Sequence, residues 1–235
     1  IYDRTGKILL YDVHSDIKRT SIPYADMGVY IKNATVAIED TEFWNHKGIR
    51  PLSILRAILA NFASGSFSQG GSTLTQQIVK NTLLTSDKTI TRKIKEWIIA
   101  IKLDRSLSKE QILELYLNES PYGGTVYGIE EASLLYFGKS AKDLTLAEAA
   151  YLAAIPKAPT FYSPFGKNKD KLESRKNLVL DRMKEVGFIT NEERTAAKQE
   201  QVVFRPNAKS HIIAPHFVFY IKDYLEKKYG SETVT

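Results

Sequence analysis

From Asp26 onward the chain reads in helical periodicity, and that pattern constrains its fold more than any other property. Asp26 is placed to cap a helix reaching about Asp40. Pro51 sits in the first turn of another, Leu52–Ala63, which stops near Ser64-Gly65-Ser66. Ser72–Leu83 follows the Gly70-Gly71 pair, and Thr89–Leu107 is a long helix. Ser108, with Gln111 three residues on, forms a capping box for a helix through Leu117. Tyr127–Tyr136, Leu146–Ile155, Lys169–Val186 and Asn191–Gln199 complete the set. Pro156–Pro164 holds three prolines and is irregular, and Thr82–Lys88 reads as a mobile polar loop. The only strand signal is at the start, where Ile1–Val13 reads as a short β-hairpin turning at Thr5-Gly6-Lys7. The expected fold class is therefore mainly α with a little β.

The chain has 235 residues, enough for one domain with or without an appendage. It is 43% hydrophobic and 26% charged, as folded globular chains are. Cysteine is absent, which excludes disulfides and thiolate metal sites and fits an extracytoplasmic bacterial protein. The net charge of +6 favours anionic partners such as phosphates, nucleic acid or lipid headgroups. No run of about 18 apolar residues marks a transmembrane helix, and no signal peptide is visible. The chain opens at Ile1 without a methionine and reads as a piece of a longer protein with room for an anchor upstream. Composition shifts after Val202-Val203-Phe204-Arg205-Pro206, and Ala214–Tyr229 reads as a docking helix or the start of a linker.

Chemistry concentrates in three places. The first is Glu39-Asp40-Thr41-Glu42-Phe43-Trp44-Asn45-His46-Lys47-Gly48. If the helix continues through it, Glu39, Phe43 and His46 share one face. The neighbouring Asp40 charge and the apolar Val36-Ala37-Ile38 run both favour proton uptake by Glu39, as a general base needs. The plainer reading is a solvated helix end with a core phenylalanine and a structural histidine.

The second is Gly70-Gly71-Ser72-Thr73-Leu74-Thr75-Gln76-Gln77, ending in Lys80-Asn81. The glycines permit a tight turn, and Ser72 or Thr73 caps the next helix, whose free N–H groups would attract an anion such as a pyrophosphate. Thr73, Gln76, Gln77 and Lys80 then form a stripe rich in amides and hydroxyls. An ordinary solvent face is the alternative, yet such faces are usually rich in Glu and Lys. These groups suit sugar and phosphate oxygens. The Walker pattern is absent.

The third is Arg92-Lys93-Ile94-Lys95-Glu96. Its spacing fits a surface salt-bridge helix worth about 0.3–0.5 kcal/mol per pair. That is the plainer reading of the spacing alone; the functional one is a diphosphate site in which Arg92 and Lys93 bind and Glu96 positions them. Between these motifs, Leu52, Ile54, Leu55, Ile58, Leu59 and Phe62 make a broad apolar helix, either core or membrane-dipping.

Over roughly residues 1–200 these motifs, in this order, resemble the glycosyltransferase family 51 domain of class A penicillin-binding proteins. The likeness continues through Lys109-Glu110-x-Ile112-Leu113-Glu114-x-Tyr116-Leu117-Asn118, then Tyr136-Phe137-Gly138-Lys139 and Pro156-Lys157-Ala158-Pro159. It implies a lysozyme-like helical head with a small membrane-facing jaw. It also implies polymerisation of lipid II into β-1,4-linked glycan with inversion and release of undecaprenyl pyrophosphate, at the extracytoplasmic face of the bacterial plasma membrane. Glu39 would deprotonate the acceptor 4-hydroxyl, and Glu96 would be the second essential carboxylate. Lys80, Arg92, Lys93 and Lys157 would hold the pyrophosphate. Asp40, Phe43, His46, Gly71, Ser72, Thr73, Gln76, Gln77 and Asn118 would shape the cleft. The resemblance further implies lipid II, the growing glycan and the membrane surface as partners, with moenomycin-type inhibitors as ligands and no nucleic acid. No cofactor is required. A divalent cation, Mg2+ or Mn2+, could assist at the pyrophosphate, although no His/Asp cluster marks a dedicated metal site.

Residues 201–235 read as the start of a linker toward a transpeptidase that this sequence does not include. Ser106-Leu107-Ser108-Lys109 matches S-x-x-K by spacing, but K-T-G and S-x-N are lacking and the match falls at a helix junction, so it is coincidental. Asp104 stands where many members have Glu, and Glu119-Ser120-Pro121 is variable. Two other readings compete. A lysozyme-like glycan hydrolase or lytic enzyme also uses paired carboxylates but needs no cluster like Lys80, Arg92 and Lys93. A nucleic-acid-binding module has only the charge in its favour.

Overall fold

The computed structural model describes residues 19–51, 71–82 and 89–205, with a few isolated positions near either end. The expected N-terminal hairpin, the apolar Leu52–Ala63 helix, Gly70, most of the Thr82–Lys88 loop and most of Ala214–Tyr229 lie outside the described residues.

Helix α1 (Val29–Glu39) leads to α2 (Leu74–Thr82), α3 (Ile90–Ser106) and α4 (Lys109–Glu119). A small antiparallel pair, β1 (Pro121–Gly123) and β2 (Val126–Tyr127), follows, with Pro121 opposite Tyr127. Then come α5 (Ile129–Tyr136), α6 (Leu146–Ala154), α7 (Lys169–Glu185) and α8 (Asn191–Gln199). Short 3-10 turns span Tyr24–Asp26, Ala141–Asp143 and Ile155–Lys157.

Local chemistry accounts for most boundaries. Ser108–Gln111, Thr145–Glu148 and Thr190–Glu193 form complete capping boxes, so α4, α6 and α8 begin where their sequences say. Thr89 caps α3 by accepting from the Arg92 N–H. The expected helix from Asp26 does not form as one piece. Asp26 ends a 3-10 turn, and α1 starts at Val29 with no side-chain cap.

Helix α6 is the centre of the molecule. Leu146, Ala147 and Ala149 through Ala154 are all buried, as a helix apolar on every side must be. Its alanines let α1 and α7 approach closely, and α8 packs on α7. On the other side of the site, α2 packs on α3 and α4. Chain order thus yields two helical groups, with the C-terminal end of α1 at their seam. Beyond α8, Phe204 packs against Tyr136, Phe137 and Tyr151, and the Arg205 N–H donates to the Tyr136 carbonyl. The packed body therefore runs at least to Arg205.

Candidate active site

Helix α1 stops at Glu39, because Asp40 leaves helical geometry at φ −158° and ψ 77°. The Asp40 carboxylate, itself buried, accepts from the Leu74 N–H at 3.0 Å and lies 2.7 Å from His46 Nε2. The Gly48 N–H donates to His46 Nδ1 at 3.1 Å, so the proton of the ring sits on Nε2 and is given to Asp40. Glu39, Phe43 and His46 are consequently not three positions of one continuous helix. Residues after Asp40 form turns, Phe43 is fully buried, and His46 ties this loop to Asp40.

This loop fixes the start of α2. Thr73 caps the helix: its hydroxyl accepts from Gln76 N–H at 3.1 Å and donates to the Gly48 carbonyl at 2.6 Å. Gln76 Oε1 returns to Thr73 N–H at 2.9 Å, completing a capping box. Gly48 has φ +86°, and a Cβ there would fall 2.5 Å from the Ala100 carbonyl oxygen, so only glycine permits this approach to α3. The N–H groups expected to face a pyrophosphate are partly spent inside the protein. The anion at the start of α2 is Asp40, held where the helix dipole favours it.

Helix α2 then presents two adjacent amides to the two carboxylates. Gln77 Nε2 donates to Glu39 at 2.8 Å, and Gln76 Nε2 donates to Glu96 at 3.3 Å. The Tyr116 hydroxyl donates to Gln77 Oε1 at 3.4 Å, which orients the Gln77 amide with its NH2 toward Glu39. Burial, and next the Glu39 charge, push the Tyr116 phenol well above its usual range, so it stays a donor. Arg175 of α7 closes the other side of Glu39 at 3.3 Å. Arg175 is anchored by its own Nε–H to the Ala154 carbonyl at 3.0 Å and lies over the Tyr162 ring.

Glu96 is only 1% exposed. Lys93 bonds to its Oε1 and also to Ser72 Oγ at 3.1 Å, while Arg92 lies 3.9 Å from Oε2. Glu96 Oε2 and Arg92 Nε are buried without a hydrogen bond among the described residues.

A cavity of about 690 Å³ opens beside this framework. Of the residues singled out by sequence, Glu39, Ser72, Gln76, Gln77, Lys80 and Lys157 line it. Lys93, Arg92 and Glu96 stand behind Ser72 and Gln76. Asp40, Phe43 and Thr73 are buried supports of the loop and α2, and the half-buried His46 braces Asp40. Asn118 bonds both backbone groups of Ile22, at 3.1 and 2.9 Å, and ties down the segment before α1. Gly71 is half-buried just before the Thr73 cap. Sequence reasoning missed Arg175, Arg19 and Arg182, all of which line the cavity. The one available signal was the spacing of Arg175, Leu178 and Arg182 on a single face of a helix.

Ser108 is occupied as a helix cap and Lys109 pairs with Asp104 at 2.8 Å, so neither is arranged as a nucleophile and base. Among the described residues, no group of three His, Asp or Glu could hold a metal, and no helix is long and apolar enough to cross a membrane.

Known proteins resemble this chain over nearly all of its length. The chain is 43% identical over 230 residues to penicillin-binding protein 1A of Aquifex aeolicus, covering 98% of this chain and 31% of that protein. It is 37% identical over 240 residues to penicillin-binding protein 1A of Pseudomonas aeruginosa, covering 100% and 28%. The crystal structure of penicillin-binding protein 1A from Haemophilus influenzae matches with a TM-score of 0.50 at 24% identity, over 92% of this chain and 22% of that one. That likeness bears on the fold alone. The chain spans less than a third of the length of these curated relatives. A family model described as transglycosylase matches residues 6–184, which include both carboxylates, the α2 stripe, Lys157 and Arg175, and the chain belongs to that family.

Proposed function

We propose that this domain is a peptidoglycan glycosyltransferase that polymerises lipid II into β-1,4-linked glycan during bacterial cell-wall synthesis. One observation carries the reading: Glu39 and the cations Lys80 and Lys157 line the same cavity. Glu39 takes the proton of the acceptor 4-hydroxyl as that oxygen attacks the anomeric carbon of the donor. The new C–O bond forms on the face opposite the old one, so configuration inverts. The old C–O bond breaks, and its electron pair leaves with undecaprenyl pyrophosphate. Such a leaving group needs cations rather than a proton. Lys80 and Lys157 stabilise its growing charge from within the cavity, and Lys93 and Arg92 from behind it. Glu96 is buried beneath those two cations and holds them in place, which is a poor position for the proton donor a hydrolase would need.

The fold is of the lysozyme-like kind with a small membrane-facing jaw, and the domain acts at the extracytoplasmic face of the bacterial plasma membrane. The same cavity admits moenomycin-type inhibitors. The reaction needs no resident cofactor, and a divalent cation at the pyrophosphate is an accessory.

The test is turnover of lipid II. Glu39→Gln abolishes polymerisation while the circular dichroism spectrum stays native, and wild-type-like turnover would remove Glu39 from the role. Lys80→Ala raises KM for lipid II by roughly tenfold, and unchanged kinetics would refute the pyrophosphate contact. Cleavage of preformed glycan without any polymerisation would replace the transferase by the hydrolase.

A further inference from the structure

The cavity is also lined by charged residues that the proton transfer and the leaving group do not use. Arg175, Leu178 and Arg182 of α7 all line it. Arg175 touches Glu39, and seven further residues of helix carry Arg182 about 10 Å beyond that contact. Arg19 lines the same cavity, and its guanidinium lies 5.7 Å from the centre of the Tyr127 ring. No hydrogen bond or ion pair joins Arg19 or Arg182 to the Glu96–Lys93 cluster. Neither arginine is among the cations assigned above to the pyrophosphate.

Both already hold carboxylates. Arg19 pairs with Glu119 at 2.7 Å and Arg182 with Glu185 at 2.7 Å. The Arg182 and Glu185 side chains are 50% and 56% exposed, and an exposed pair of this kind contributes about 0–1 kcal/mol. Such a pair exchanges readily for a ligand carboxylate. The guanidinium fork matches a carboxylate in two parallel hydrogen bonds, and Leu178 and Tyr127 supply an apolar wall.

We propose that Arg182, together with Arg19 of the same cavity lining, forms a subsite for a carboxylate carried on the glycan substrate, namely one on the peptide attached to the sugar. This rests on the transferase reading above. The substrate then lies with its pyrophosphate near Lys80, its reacting carbon at Glu39 and a peptide carboxylate at Arg182.

The experiment titrates the protein with a water-soluble disaccharide–peptide bearing free carboxylates, and with the same molecule fully amidated. Wild type binds the acidic form about tenfold more tightly. Arg182→Gln brings the two affinities together, Arg182→Lys recovers part of the difference, and Arg19→Gln reduces it. Circular dichroism confirms that the variants are folded. Equal affinities in wild type, no detectable binding of either probe, or equal weakening of both by Arg182→Gln would overturn the subsite. A polymerisation assay on lipid II runs alongside. Absence of polymer from wild type counts against the transferase reading, whereas polymer formation with equal affinities counts against the subsite alone.

Discussion

Glu39 is gripped from two sides, by the Gln77 amide at 2.8 Å and the Arg175 guanidinium at 3.3 Å, and each partner is itself held. Tyr116 orients Gln77, while the Ala154 carbonyl and the Tyr162 ring anchor Arg175. A carboxylate so fixed keeps one orientation, and in the proposed role of base a small misplacement costs rate. Arg175→Gln therefore lowers kcat for lipid II by roughly 10- to 100-fold with a smaller change in KM. Steady-state kinetics on the folded variant checks this, and an unchanged kcat would show that Gln77 alone positions Glu39. The two carboxylates, the α2 amides and the cations were legible because each sits in a short motif with its own chemistry. Arg175 was not, because it lies 136 residues from Glu39 and in sequence looks like one more charge on a polar helix.

At the scale of elements, short-range chemistry decided the starts of helices and tertiary contacts decided one critical end. Ser108 illustrates the first. Its hydroxyl accepts from Gln111 N–H and Gln111 bonds back, so Ser108→Ala removes a complete cap. That substitution lowers unfolding free energy by about 1 kcal/mol, measured by urea denaturation, while lipid II turnover persists. Loss of activity without loss of stability would give Ser108 a chemical role that its geometry does not support. The end of α1 illustrates the second. Periodicity alone lets the helix run past Glu39, but Asp40 gains more by accepting from Leu74 and His46 than by staying helical. The same bonds occupy part of the α2 start that the glycine-serine turn seemed to offer to an anion. Helical periodicity could not show this, because the partner N–H lies 34 residues away.

Across the whole molecule, burial of tyrosines sets an alkaline limit on stability. Burial raises the phenols of Tyr116 and Tyr122 well above the usual 10.0, and raises Tyr136 to about 12. A group whose pKa is higher in the folded state stabilises fully below its unfolded value and loses that contribution as pH rises. These three phenols ionise in the unfolded chain near pH 10 while the folded chain keeps their protons. Stability accordingly falls from about pH 10 upward, by up to roughly 1.4 kcal/mol per pH unit for each phenol still protonated in the fold. Thermal melting between pH 8 and about 12, with tyrosinate absorbance followed in parallel, checks this. A flat melting temperature through that window would contradict the burial.

The sequence by itself determined that the chain is mainly helical, where most helices begin, and which residue types carry the chemistry. Those properties depend on caps, periodicity and motifs spanning a few residues, so they are written locally. Only the tertiary structure decided that α1 ends at Glu39, that α2 shares its two amides between Glu39 and Glu96, and that α7 supplies Arg175 and Arg182 to the cavity. These depend on burial and on partners brought together from distant parts of the chain. The free energy of a buried charge is settled by what surrounds it, and no local pattern specifies that.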